Sequence, residues 1–343
     1  MVTPLDVERL PPFDPHPWLR SGHAMTLAAA FARRRVLIGE GEQRSFRTDE
    51  ETRIVARCNW QAERGAPVVV LVHGMCGSAD SGYMIGTADK AFAAGFSTVR
   101  MNIRNCGGTE HLTPTLYHAA LTTDVRAVVE ELAWTDGARE IYVAGFSLGG
   151  NIVLRLLAEW SEQAPGALAG AAAISAPIDL EGAAQSLESG GLNSLYTRRF
   201  IRDLGKVYRR KAALYPDRYD VERLDGLRTL REFDDRITAH YCGFGTAERY
   251  YTLASSLRAL PAIEVPTLLL GAADDSLAPV SPLRRPEVTE NPSLHVKMTA
   301  RGGHLSFFGR GPAHADQGID PDRWWAENRV VEWFRRLSCR RRT

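Results

Sequence analysis

The chain has no apolar run near the ~20 residues that a bilayer-crossing helix needs. It also has no excess of charge of either sign and no two cysteines close together. The first absence excludes stable membrane insertion as an expectation, though not peripheral contact with lipid. Lys and Arg number 42 against 41 Asp and Glu, a formal net charge of +1. Such a balance gives no reason to expect nucleic acid as a partner. The cysteines (Cys58, Cys76, Cys106, Cys242, Cys339) are odd in number and scattered. That pattern fits neither a disulfide framework nor a zinc site, and it points to a reducing compartment. The opening stretch "MVTPLDVERLPPFDPHPW" lacks the basic start and apolar run of a secretory signal. Repeats and low-complexity segments are missing too. Together these absences predict a soluble, cytoplasmic protein. The basic end, residues 340–342, is expected to be a solvated, frayed terminus.

What is present is an ordinary globular composition over 343 residues, 44% hydrophobic and 24% charged. That length suits one large α/β domain spanning 1–343 with an insertion. Residues 1–35 read as an N-terminal arm lying on that domain. "RSFRT" and "TRIVARCNW" predict an antiparallel hairpin within 43–60. "PVVVLVHG" (67–74) is a continuous β-branched run, as in a strand buried on both faces. Helix is predicted over 81–94, then strand in "FSTVRMNIR", helix over 118–134, strand in "EIYVAGFS", helix in "LGGNIVLRLLAEWSEQ" and strand in "LAGAAAISAP". This alternation predicts a mostly parallel sheet with crossover helices. Residues 178–262 break it with a charged, aromatic, mostly helical segment. "PTLLLGAADD" and "SLHVKMTARGG" then give two last strands, and 322–337 an amphipathic closing helix.

Gly145-Phe146-Ser147-Leu148-Gly149 fits G-x-S-x-G between a predicted strand and a predicted helix, the setting that motif requires. A serine nucleophile at such an elbow sits in strained backbone, and side chains two residues away on either side would collide. The following helix points its free N–H groups at the site. The Leu148 N–H is therefore the expected first oxyanion donor. The second should come from the loop after an earlier strand. In "LVHGMCGS" the Met75 N–H fits, with Gly74 allowing close approach and His73 bracing the loop. Cys76 lacks a paired histidine and is not expected to be a reactive thiol.

A serine nucleophile needs a base, and the base an orienting carboxylate. In the order Ser, Asp, His, both follow late strands. "LLLGAADDSLAP" offers Asp275 as the favoured acid and Asp274 as the alternative. "ARGGHLSFF" offers His304, whose two preceding glycines let the chain bend back toward the sheet edge. His295, inside a strand, reads as a packing residue. Asp234 and Asp235 lack the further ligands a metal would need, and read as a helix cap or Arg partners.

With His73-Gly74, the Ser147 elbow, Asp274-Asp275 and Gly302-Gly303-His304 in view, the chain resembles the α/β-hydrolase superfamily. The resemblance is to the YheT-type branch, which is related to eukaryotic medium-chain acyl esterases and phospholipases. "HPWLRSGHAMTL", "IRNCGGTE" with "YHAALTTD", and "REFDDRITAHYCGFGTAERYY" extend it over most of the chain. Met25 stands where the family usually has Gln, and Ser306 where Gly is common. The resemblance implies an α/β-hydrolase fold with a helical cap at 178–262. It also implies hydrolysis of a small-molecule acyl ester through an acyl-serine, with no metal or organic cofactor. The aromatics in "HYCGF" and "RYYTL" are then either pocket lining or the insertion's own core. Acyl transfer to an alcohol uses the same groups and stays open, and a non-catalytic binding protein on this fold is the remaining alternative. Substrate identity, pathway and oligomeric state are not readable from the sequence.

Overall fold

A computed structural model describes residues 7–32, 34–311 and 320–342. Eight strands form one sheet in the order β1-β2-β4-β3-β5-β6-β7-β8. They are β1 (Glu42–Arg47), β2 (Arg53–Asn59), β3 (Val68–Val72), β4 (Ser97–Met101), β5 (Ile141–Phe146), β6 (Leu168–Ile174), β7 (Thr267–Ala272) and β8 (Leu294–Thr299). β1 and β2 form the expected hairpin, and β2 pairs antiparallel with β4. All pairings from β4 to β8 are parallel. The sheet is thus mostly parallel, as the alternation implied.

Every residue of β3 to β7 is buried, because helices cover both faces. Alternation along β3 shows the two layers. Val68, Val70 and Val72 join one core with Val128, Ile152 and Leu156. Val69 and Leu71 join the other with Met84, Ala88 and Phe334. The first layer holds α3 (Thr123–Glu130) and α4 (Leu148–Trp160); the second holds α2 (Gly82–Ala93) and α10 (Trp325–Arg342). β6 is small-residued for a reason: a Cβ on Gly170 would lie 2.3 Å from Leu337 of α10. Trp333 Nε1 also donates to the Ala171 carbonyl at 3.0 Å.

The arm contains α1 (Gly22–Phe31), whose N-cap Ser21 Oγ accepts from Ala24 N at 3.2 Å. Between β6 and β7 lie α5 (Leu180–Glu188), α6 (Asn193–Leu214), α7 (Leu230–Phe233) and α8 (Ala247–Ala254). A single turn, α9 (Pro286–Thr289), precedes β8.

Three expectations need correction. Helix begins at Thr123, not 118, because 118–122 is pulled into tertiary bonds: Ala119 N donates to Tyr250 Oη at 2.9 Å, and Asn151 Nδ2 donates to the Ala119 carbonyl. The basic end is helical through Arg342, not frayed, as Arg341 reaches the Leu168 carbonyl. Asp234 neither caps a helix nor pairs with Arg. Its oxygens accept from Thr238 Oγ1 and Tyr251 Oη, both at 2.8 Å. Asp235 does serve a helix start, accepting from Ala247 N at 2.9 Å.

Candidate active site

β5 runs straight into Ser147, whose φ of 52° and ψ of −123° put a non-glycine residue in a disfavoured region. Such strain is held by its surroundings and typically costs about 1–3 kcal/mol. Ser147 N donates to the Ile174 carbonyl at 2.8 Å, and Gly150 N donates to the Ser147 carbonyl. The flanking glycines are needed for space. A Cβ on Gly145 would lie 2.3 Å from the Gly149 carbonyl oxygen, and one on Gly149 would lie 2.4 Å from that of His73. Leu148 opens α4, and first-turn N–H groups have no carbonyl inside their own helix.

The loop after β3 passes directly over Ser147. A Cβ on Gly74 would sit 3.0 Å from the Ser147 Cβ, and Met75 lines the same cavities as Ser147. Three contacts hold this loop. His73 Nδ1 bonds to the Gly74 carbonyl at 2.7 Å, its Nε2 accepts from Ile103 N at 3.0 Å, and Gly74 N donates to Tyr83 Oη. His73 is fully buried, and desolvation lowers its pKa to about 4. It is a neutral brace, with neither nitrogen available for catalysis. Cys76 also lies in the loop; burial pushes its thiol up to about 12, which disfavours a reactive thiolate.

β7 and β8 deliver the remaining groups. His304 Nε2 lies 2.9 Å from Ser147 Oγ. Its Nδ1 lies 2.9 Å from Asp275 Oδ2 and 3.1 Å from Oδ1. Asp275 is buried, and its Oδ1 also accepts from Leu277 N and Ala278 N. Asp274 does a different job. Its Oδ1 accepts from Gly303 N at 2.9 Å, tying the strand-β7 turn to the histidine loop. That loop is strained at Leu305 (φ 59°) and Phe307 (φ 39°). Gly303 has a φ of 57°, while Gly302 is needed for space, since a Cβ there would lie 2.6 Å from the Phe307 ring.

Other positioning groups escaped the sequence reading. The Thr26 hydroxyl of α1 donates to the Gly22 carbonyl and accepts from His304 N at 2.8 Å. Ser175 Oγ accepts from Leu305 N at 3.3 Å. Asn151 Nδ2 donates to the carbonyls of Ala119 and Ala254, and its Oδ1 accepts from Ser256 N. It thereby joins α4 to the end of α8. In the sequence its only signal was an amide four residues after Ser147, which names no partner.

Two cavities meet at Ser147. The first is a mainly apolar pocket of about 980 Å³ including its opening, walled by Leu187, Leu204, Leu230, Phe233 and Ile237 among others. Tyr250 and Tyr251 line it while also packing in the core; Tyr241 instead packs against Tyr208 and Tyr219. Asp234 lies in the same wall, its carboxyl raised to about 6 by burial. The second cavity runs outward between α1 and α6, past Thr26, Tyr196, Arg199, Asp203 and Ser306. Among the described residues, no cluster of three or more His, Cys, Asp or Glu is placed to hold a metal.

This chain belongs to the alpha/beta hydrolase fold family, whose pattern it matches over residues 67–310, and within it to the branch of YheT. It is 32% identical over 270 residues to YheT of Escherichia coli, a protein bearing an esterase name, covering 78% of this chain and 76% of that one. Phospholipase ABHD3 of Mus musculus is 29% identical, over 78% of this chain and 63% of its own length. The chain therefore spans under two thirds of that eukaryotic relative. In three dimensions it superposes on a Pyrococcus furiosus esterase with a TM-score of 0.54 at 16% identity, covering 89% of this chain and 99% of that one. That last likeness speaks for the fold alone.

Proposed function

We propose that this protein is a serine hydrolase of short- or medium-chain carboxylic esters, acting through an acyl-serine. The observation that carries the reading is one continuous hydrogen-bond chain, Ser147 Oγ to His304 to Asp275, at the mouth of an apolar pocket. The esterase and phospholipase names of its relatives support the same reaction class.

The distances among Ser147, His304 and Asp275 support the following steps. Ser147 Oγ–H donates to His304 Nε2, which takes the proton as Oγ attacks the ester carbonyl. Asp275 accepts from Nδ1–H, fixes the tautomer and stabilises the imidazolium. Its bonds from Leu277 N and Ala278 N keep the carboxylate aimed. The carbonyl oxygen, now an oxyanion, is held by the N–H groups of Met75 and Leu148. One such donor is worth about 2.7–4 kcal/mol in the barrier. His304 Nε2–H then protonates the departing alkoxide, leaving the acyl group on Ser147. Water, deprotonated by the same histidine, releases the acid. The acyl chain occupies the apolar pocket, and the alcohol leaves through the second cavity.

The test is a p-nitrophenyl ester chain-length series run beside Ser147→Ala. A preference within short or medium acyl chains, lost in the variant, is the expected result. Full turnover by Ser147→Ala would defeat the proposal.

A further inference from the structure

Helix α6 carries an uneven charge. Its 22 residues hold seven Arg and Lys and one Asp, although the whole chain is nearly neutral. At about 100° per residue, Leu192, Leu195, Arg198, Arg199, Arg202, Lys206, Arg209 and Arg210 fall on one stripe. All eight are exposed. The opposite face, with Tyr196, Leu204 and Tyr208, is buried. Asp203 alone lies among the exposed cations, 3.1 Å from Arg202 and 3.4 Å from Lys206, and Arg210 reaches Glu110. The stripe is therefore a concentrated positive field that the protein itself only partly neutralises.

Across the second cavity from this stripe stands α1. Residues of both helices line the cavity, and His23 stacks on Tyr196 where they meet. The chain around α1 is apolar and uncovered: Trp18 before it is 87% exposed, Phe31 at its end 82% and Leu37 beyond it 86%. Leu192 and Leu195 are exposed at the start of α6, and Leu27 of α1, 40% exposed, lines the passage that leads to Ser147.

We infer that this rim is a docking surface for an anionic lipid bilayer. Trp18, Phe31, Leu37, Leu192 and Leu195 enter the headgroup region, and the α6 stripe pairs with lipid phosphates. Charge complementarity supplies long-range attraction, and apolar insertion supplies retention. The two features flank the route to the nucleophile, so a docked protein draws an ester substrate from the lipid phase without passing it through water. The choice of lipid over another polyanion rests on the acyl-ester reading. Nucleic acid would use the basic stripe and leave Trp18 and Phe31 in water.

Co-sedimentation with vesicles of phosphatidylcholine, with and without phosphatidylglycerol, tests the surface. Wild type and Ser147→Ala should both sediment with the anionic vesicles, and less as salt is raised. Binding is read without turnover, so this inference and the esterase reading fail separately. Arg198→Glu/Arg202→Glu/Arg209→Glu should bind at least about tenfold more weakly. Trp18→Ser/Phe31→Ser should lose the salt-resistant fraction. Both variants should keep wild-type melting curves and wild-type rates on a water-soluble short ester. No sedimentation with either vesicle, equal sedimentation of wild type and the charge-reversed variant, or tighter retention of duplex DNA than of vesicles would each overturn the inference.

Discussion

Ser147 has two walls, built by different means. The sheet wall comprises the turns after β3, β5, β7 and β8, and it is fixed largely by backbone. A disfavoured φ at Ser147, glycines with no room for a Cβ, and main-chain donors on Asp275 hold it in place. The helical wall, α5 to α8, is fixed by side-chain packing among Leu187, Leu204, Tyr208, Phe233 and Ile237. Rigid backbone suits chemistry, where a small displacement is costly. A packed apolar wall can change volume without touching the reacting atoms. The comparison teaches that the two walls are held by different means, so on the proposed function bond-making and chain-length selection would vary separately.

Changes on the sheet wall should have the largest effects. Ser147→Ala should lower kcat by about 10⁴-fold or more. Asp275→Asn should cost about 10³–10⁴-fold, through the wrong tautomer of His304. Asp274→Asn should cost far less, because an amide oxygen still accepts from Gly303 N. Near-equal losses in the two aspartate variants would break the assignment of Asp275. On the helical wall, Leu187→Trp should move the preferred p-nitrophenyl ester to shorter chains, with kcat on the shortest within about tenfold. A uniform fall at every chain length would mean that the two walls are not separable.

Thr26→Val tests the arm as part of the sheet wall. It removes the acceptor for His304 N, and an unmet buried donor costs about 1–3 kcal/mol. The rate should fall roughly tenfold or more through kcat, with KM little changed. The smallest effect is on stability. His73 has a folded pKa near 4, below its ordinary 6.5, so its contribution is complete above pH 6.5. It is lost as pH falls from 6.5 toward 4, by at most roughly 3 kcal/mol. His118, also lowered to about 4 by burial, adds in the same direction. A melting temperature flat between pH 7 and 4 would refute the buried neutral state of both.

Much of the sheet wall was legible, because its signals are local. Gly145-x-Ser147-x-Gly149 says that two positions have no room for a side chain, and that statement needs five residues. His304 was legible by its place after the last strand and its two glycines. The separate jobs of Asp274 and Asp275 were not. Adjacent carboxylates differ only in which way the turn after β7 points them, and that depends on where the histidine loop lies. Asp234 was misread for a related reason. Its partners Thr238 and Tyr251 stand four and seventeen residues away, and a π-turn from Asp234 to Ala239 brings its carboxyl into the pocket wall.

By itself, the sequence determined the alternating sheet and helix order, the elbow at Ser147 and the late positions of the acid and the histidine. These follow from short-range rules on period, space and backbone angle. Only the tertiary structure decided that Thr26, from an arm 278 residues away, holds the backbone of His304. Packing also decided which aspartate faces His304, and that α1 and α6 flank one passage to Ser147. Contacts between distant segments depend on how whole elements pack, and no local pattern encodes that.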